Sequence, residues 1–274
     1  MVPPRRPCRS NSRMPAPEQA LTTRRTFLTL VAQCTAAGIL GCGEPTAAEP
    51  SHPSRLTFRT GRPSGSVAHG LQPLGLDPFR DGVLYVPASY TPSEPLPLVV
   101  LLHGAGASGT DWFGSYGPRA DAARVVLLAP DCRFFSWDAI SNAGNFSEDV
   151  AFISTAITAI FTRCAIDAGR MALFGFSDGA SYALALGLAN GDRIRHTAAF
   201  SPGFIPGAPR HGTPDFFIAH GLSDSVHPIE QTSRVIVPEL RAAGYQVDYT
   251  EFAGAHELPS QISSAAFDWL ASRF

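Results

Sequence analysis

Three side chains in this sequence have the types that nucleophilic acyl transfer requires: a serine at 177, an acid at 224 and a histidine at 256. A serine hydroxyl attacks a carbonyl only when a base takes its proton. The base works best when a carboxylate fixes its tautomer and stabilises the imidazolium that forms. Ser177 sits in Gly175-Phe176-Ser177-Asp178-Gly179, a G-x-S-x-G pentapeptide. Alone this is weak, since chance would supply it about one time in five at this glycine and serine content, so its surroundings must decide. Residues 171–174 (M-A-L-F) form an apolar run of strand length, and residues 180–188 are rich in Ala and Leu with helical character. A sharp strand-to-helix turn of this kind presents the serine hydroxyl at a strand end, while Gly175 and Gly179 let strand and helix approach closely.

The other two residues follow strands as well. Residues 216–219 (F-F-I-A) read as a strand that runs into His220-Gly221-Leu222-Ser223-Asp224, and residues 246–252 alternate as a strand that leads to Gly254-Ala255-His256-Glu257-Leu258-Pro259. Asp224 is therefore the expected triad acid and His256 the general base; Asp215 and Asp248 are rivals for the acid, but neither follows a strand of this kind. A fourth stretch supports the set. Residues 98–102 are five consecutive aliphatics, a buried strand, and feed directly into His103-Gly104-Ala105-Gly106. A tetrahedral intermediate carries a negative oxygen that needs two preorganised backbone N–H donors. The expected donors are Ala105, with Gly106 as its alternative, and Asp178. The Asp178 carboxylate should point away or be paired, because it is awkward beside a developing anion. His103 is expected to fix the loop.

The remaining elements frame these ends. A strand is expected at 82–87, a helix at 111–123, a strand at 125–128, a helix from Ser147 to about 163, a strand at 196–200, a helix at 229–243 and a closing amphipathic helix with Ala266, Trp269 and Leu270 inward. Between 55 and 80 one or two edge strands are expected without firm bounds. The loop at 133–146 carries Phe134, Phe135, Trp137 and Phe146; with Phe204 it is expected to wall a substrate pocket, so that Phe135, Trp137 and Phe204 line it. Cys132 belongs to the site end of the sheet and Cys164 to the far end of a roughly fifteen-residue helix, about 20 Å away at 1.5 Å per residue. A disulfide tolerates only about 7 Å between Cα atoms, so two free thiols are expected.

The 274-residue chain is 45% hydrophobic and suits one sizeable core. All 21 basic residues are Arg, which excludes mechanisms built on Lys. Thr23-Arg24-Arg25-Thr26-Phe27-Leu28 is a twin-arginine pattern, followed by an apolar segment that ends in Ile39-Leu40-Gly41-Cys42, a lipoprotein-type cleavage box. Residues 1–41 are thus expected to be an export signal with Met1 or Met14 as start, Cys42 a lipidation site, 42–54 a Pro/Ala/Glu tether, and 55–274 the catalytic domain. Export to the cell envelope follows, with membrane contact through the Cys42 lipid alone. Residues 1–41 carry six Arg and one Glu, so the remainder holds 15 Arg against 22 acids, a net charge of −7 that disfavours nucleic acid.

The segments L-L-H-G-A-G-A-S, G-F-S-D-G-A-S-Y, A-F-S-P-G-F, A-H-G-L-S-D and G-A-H-E-L-P resemble the phospholipase/carboxylesterase and polyhydroxybutyrate-depolymerase-like esterase branch of the α/β-hydrolases, over residues 82–274. The order Ser177, Asp224, His256 is that superfamily's triad order. The resemblance implies an α/β fold with a mostly parallel central sheet and helices on both faces. It implies a serine hydrolase of short-chain carboxylic esters that needs no cofactor and no metal. Secreted depolymerases of that branch often carry an extra binding module, for which this chain leaves no room, so a small-molecule ester is expected rather than a polymer. A thioesterase or lysophospholipase, a peptidase, and a non-catalytic surface lipoprotein remain alternatives on the same fold.

Overall fold

The computed structural model describes residues 53–274. The export signal, Cys42 and nearly all of the tether lie outside the described residues. The first strands are short: β1 (Gly70–Pro73) and β2 (Gly82–Val86). β3 (Leu96–Leu102) is buried at all seven positions, as a central strand covered on both faces must be. A 3-10 turn at Gly109–Trp112 leads into α1 (Phe113–Ala123), then β4 (Val126–Pro130), the four-residue α2 (Asp138–Ser141) and α3 (Glu148–Arg163). β5 (Ile166–Phe176), α4 (Asp178–Asn190), β6 (His196–Phe200) and β7 (Asp215–Gly221) follow, and α5 (Ser233–Ala242), β8 (Val247–Phe252) and α6 (Ser260–Ala271) complete the domain.

The eight strands form one sheet in the order β1-β2-β4-β3-β5-β6-β7-β8. β1 and β2 are antiparallel to their neighbours; every pairing from β4 through β8 is parallel. Alternation along β3 divides the core. Leu98, Val100 and Leu102 point to the layer of α3 and α4, where Ile153, Ile157 and Leu186 pack. Val99 and Leu101 point to the layer of α1 and α6, against Tyr116, Ala266 and Phe267. The fold is an α/β-hydrolase fold, and the parallel strands all end on one side of the sheet, where open α/β sheets build their sites.

Two details differ from the sequence reading. β5 begins at Ile166, five residues before the apolar run, because its first residues pair with Leu96 across a register shift between Leu96 and Leu98. The helix expected at 229–243 is broken into a 3-10 turn at Ile229–Gln231 and α5, with Thr232 at φ −126°, ψ −100° between them. Cys132 and Cys164 are both buried free thiols. No helix among the described residues is long and apolar enough to cross a membrane.

Candidate active site

Ser177 sits between β5 and α4 at φ 57°, ψ −122°, a region that side-chain-bearing residues rarely occupy. The turn holds because its flanking glycines leave no alternative. A Cβ on Gly175 would lie 2.1 Å from the Gly179 carbonyl oxygen, and one on Gly179 would lie 2.0 Å from that of Leu102. The Ser177 amide donates to the Phe200 carbonyl at 2.9 Å, tying the turn to β6.

Its hydroxyl reaches one base. Ser177 Oγ is 2.8 Å from His256 Nε2, and His256 Nδ1 is 2.7 Å from Asp224 Oδ2. The carboxylate requires the proton on Nδ1, which leaves the Nε2 lone pair to accept from the serine. The loop bearing His256 can come this close because Gly221 has no side chain: a Cβ there would meet the Ala255 carbonyl at 2.2 Å. The Phe176 ring packs against the imidazole, centroids 5.0 Å apart. Asp224 is 5% exposed, and its Oδ1 accepts the amides of Val226 at 2.9 Å and His227 at 2.8 Å. Burial by itself would push this carboxyl up; the His227 amide and the His256 ring outweigh it and hold the group below the usual carboxylate range. The rival acids are engaged elsewhere, Asp215 with Arg273 and Asp248 with Trp269 and Arg273.

Against Ser177 lies the turn that follows β3: a Cβ on Gly104 would sit 3.3 Å from the Ser177 Cβ. The Gly106 N–H donates to the Phe135 carbonyl at 2.7 Å and is engaged there, which leaves Ala105 as the candidate donor of the two alternatives. The Asp178 amide opens α4, where helical N–H groups have no partner within the helix. Its carboxylate accepts the Ser136 hydroxyl at 2.5 Å. His103 is a clamp: Nδ1 meets the Gly104 carbonyl at 2.8 Å, Nε2 accepts the Cys132 amide at 3.1 Å, and its own carbonyl accepts the Trp137 indole N–H at 2.8 Å. Burial pushes the His103 imidazole down, in keeping with a neutral ring that accepts at Nε2.

A cavity of about 560 Å³ opens beside Ser177 and His256. Its walls are Trp112, Tyr116, Phe176 and Leu258, with Ser115 and Asp111 among its polar groups. The three residues expected to line the pocket, Phe135, Trp137 and Phe204, are not among this lining. Trp137 is fully buried, its indole stacked on Tyr182 at 5.2 Å and its N–H bound to His103, so it belongs to the core under the loop. Phe135 and Phe204 are exposed on the surface and do not line this cavity. Sequence reasoning missed Trp112 and Tyr116 because an i, i+4 aromatic pair at a helix start reads as core. It also missed His227, whose ring meets His256 edge-on at 5.1 Å. His220, though noticed as a strand-end histidine, gave no sign that it contacts Asp224.

The model of the phospholipase/carboxylesterase family matches residues 90–272. Feruloyl esterase C of Emericella nidulans is 29% identical over 159 residues, 55% of this chain and 57% of that protein; the chain thus spans little more than half the length of this curated relative. Among solved structures, a thermostable esterase superposes with a TM-score of 0.55 at 25% identity, covering 72% of this chain and 60% of that one. A ferulic acid esterase from Anaeromyces mucronatus, in complex with ferulic acid, has a TM-score of 0.55 at 19% identity over 70% of this chain and 84% of its own, a likeness of fold.

Proposed function

Because the chain belongs to the phospholipase/carboxylesterase family, we propose that it hydrolyses small carboxylic esters, with Ser177 as nucleophile, His256 as general base and Asp224 as its orienting acid. The observation that carries this reading is the unbroken chain of hydrogen bonds, 2.8 Å from serine to imidazole and 2.7 Å from imidazole to carboxylate, at the mouth of a cavity. His256 Nε2 takes the hydroxyl proton as Ser177 Oγ attacks the ester carbonyl, and Asp224 stabilises the imidazolium. The amides of Ala105 and Asp178 hold the oxyanion. Collapse expels the alcohol, which takes its proton from His256; water then attacks the acyl-enzyme by the same route and frees the acid. No cofactor or metal enters the reaction.

A short acyl chain is the first reading of the substrate. The aromatic walls Trp112, Tyr116 and Phe176 favour a second, an aromatic acid ester such as a hydroxycinnamate, the chemistry named for the feruloyl esterase relative. Rates on p-nitrophenyl acetate through laurate, and on methyl hydroxycinnamates, test both. Ser177→Ala should lose roughly 10³–10⁶-fold in kcat on every substrate that is turned over. Activity that survives the substitution refutes the nucleophile. Hydrolysis of thioesters, lysophospholipids or peptides in preference to esters would move the assignment to another bond, and a folded protein inert on all of them would be a binding module. The protein is exported by the twin-arginine route and held by a lipid on Cys42. Cys42→Ala should release it from the membrane fraction, and Arg24→Lys with Arg25→Lys should retain it in the cytoplasm.

A further inference from the structure

The Asp224 carboxylate has a second imidazole on it. His220 projects from β7 and is fully buried, and its Nε2 lies 3.2 Å from Asp224 Oδ2, the same oxygen that holds His256. His220 Nε2 is also 2.8 Å from the His227 carbonyl oxygen, and its Nδ1 is 2.7 Å from the hydroxyl of Ser233, the fully buried first residue of α5. These partners determine the tautomer. Nε2 meets two acceptors and no donor, so it carries the proton; Nδ1 accepts the Ser233 O–H. Burial holds the His220 imidazole below its ordinary range, which favours the neutral ring.

We propose that His220 is a positioning residue for the reaction, a neutral N–H donor locked by Ser233 that fixes the Asp224 carboxylate and shares one of its oxygens with the catalytic histidine. The inference rests on the Ser177–His256–Asp224 reading. Asp224 Oδ1 is held by two loop amides and Oδ2 by two rings, so the carboxylate cannot turn away as His256 swings between proton acceptor and donor. Sharing has an electronic consequence. Each donor on Oδ2 draws on the same charge, so Asp224 stabilises a His256 imidazolium less than it would with that ring alone. The ionisable groups around His220 are few. Asp224 and His227 face it from its own loop and His256 from the loop after β8. Glu251 is its register partner on β8, and Arg234 of α5 pairs with that glutamate.

The test is the pH dependence of p-nitrophenyl acetate hydrolysis by the full chain and its variants. His220→Phe keeps the ring volume and deletes the donor. We expect kcat to fall about 10- to 100-fold, the scale of one hydrogen bond to a charged group, with KM little changed. The acid limb of kcat/KM should move to higher pH by about half a unit to one unit, because the undivided carboxylate favours the imidazolium. His220→Gln, whose amide nitrogen reaches the Nε2 position, should return the limb to its original place. If His220→Phe does not fold, Ser233→Ala, which unlocks the tautomer, should move the limb the same way by a smaller amount. An acid limb that coincides with the parent's in the folded His220→Phe protein, or in Ser233→Ala where that one does not fold, overturns the proposal and leaves His220 as packing. Activity surviving His256→Ala would refute the underlying triad instead, and is read from a separate variant.

Discussion

At the scale of single residues, Asp224 is defined by what it accepts. Four N–H donors converge on two oxygens, so an amide in its place would turn an NH₂ toward donors. Asp224→Asn should therefore lower kcat by about 10³–10⁴ through loss of the His256 tautomer, with the fold retained, as stopped-flow turnover beside circular dichroism would register. Trp112 and Tyr116 matter in another way. Their ring centroids are 4.8 Å apart and both wall the cavity. Trp112→Ala should enlarge the cavity and shift the acyl-chain optimum to longer chains, read as the ratio of kcat/KM on butyrate and octanoate esters. A ratio equal to the parent's would place the acyl group elsewhere.

At the scale of elements, the turn from β5 to α4 is held by close backbone approach. Gly179→Ala would drive a methyl into the Leu102 carbonyl at 2.0 Å, on a central strand that cannot yield. Loss of several kcal/mol, seen as insoluble or unfolded protein, is the expected outcome. Gly114 in α1 is the contrasting case: a Cβ there meets nothing within 4 Å. Gly114→Ala should stabilise by about 0.5–1 kcal/mol in a urea melt, since alanine loses less backbone entropy in a helix. The elements legible in the sequence were those that carry their own signal. β3, β6, α3 and α4 could be read from aliphatic runs and apolar periodicity. α2 could not: its four residues are held by Asp138, whose carboxylate takes the Ser147 and Asp149 amides and the Tyr182 hydroxyl. The first turn of β5 likewise exists through pairing with Leu96 and has no pattern of its own.

At the scale of the whole molecule, buried and half-buried histidines set the response to acid. Burial pushes His103, His196, His220 and His227 below their ordinary range. Each binds fewer protons folded than unfolded, so each contributes stability that is full above the unfolded value of about 6.5 and is lost as pH falls through the folded value. Asp149 runs the other way. Burial raises its carboxyl to about 6, so its contribution is present at low pH and lost as pH rises. Carboxylates held low, such as Glu251 at about 2, stay ionised in this window and lose their contribution only in stronger acid. Four histidines outweigh one aspartate, so the melting temperature should fall between pH 7.5 and 5.5, measurable by calorimetry; a rise would mean that Asp149 dominates.

The sequence by itself determined the fold class and the chain order of Ser177, Asp224 and His256, each just past a strand. Apolar runs and strand-to-helix turn chemistry are local, and residues a few positions apart encode them. The tertiary structure alone decided which distant groups meet. It sent Trp137 into the core and Trp112 to the cavity, although both are tryptophans beside loops, because His103 and Tyr182 receive the first while the second packs edge-on against Tyr116 in the cavity wall. It brought Asp224, and neither Asp215 nor Asp248, to His256, and added His220 to the same carboxylate. Such contacts join distant segments; the hydrogen bond from Tyr116 to Ser263 spans 147 residues. They follow from how layers pack on a shared sheet, which no local period records.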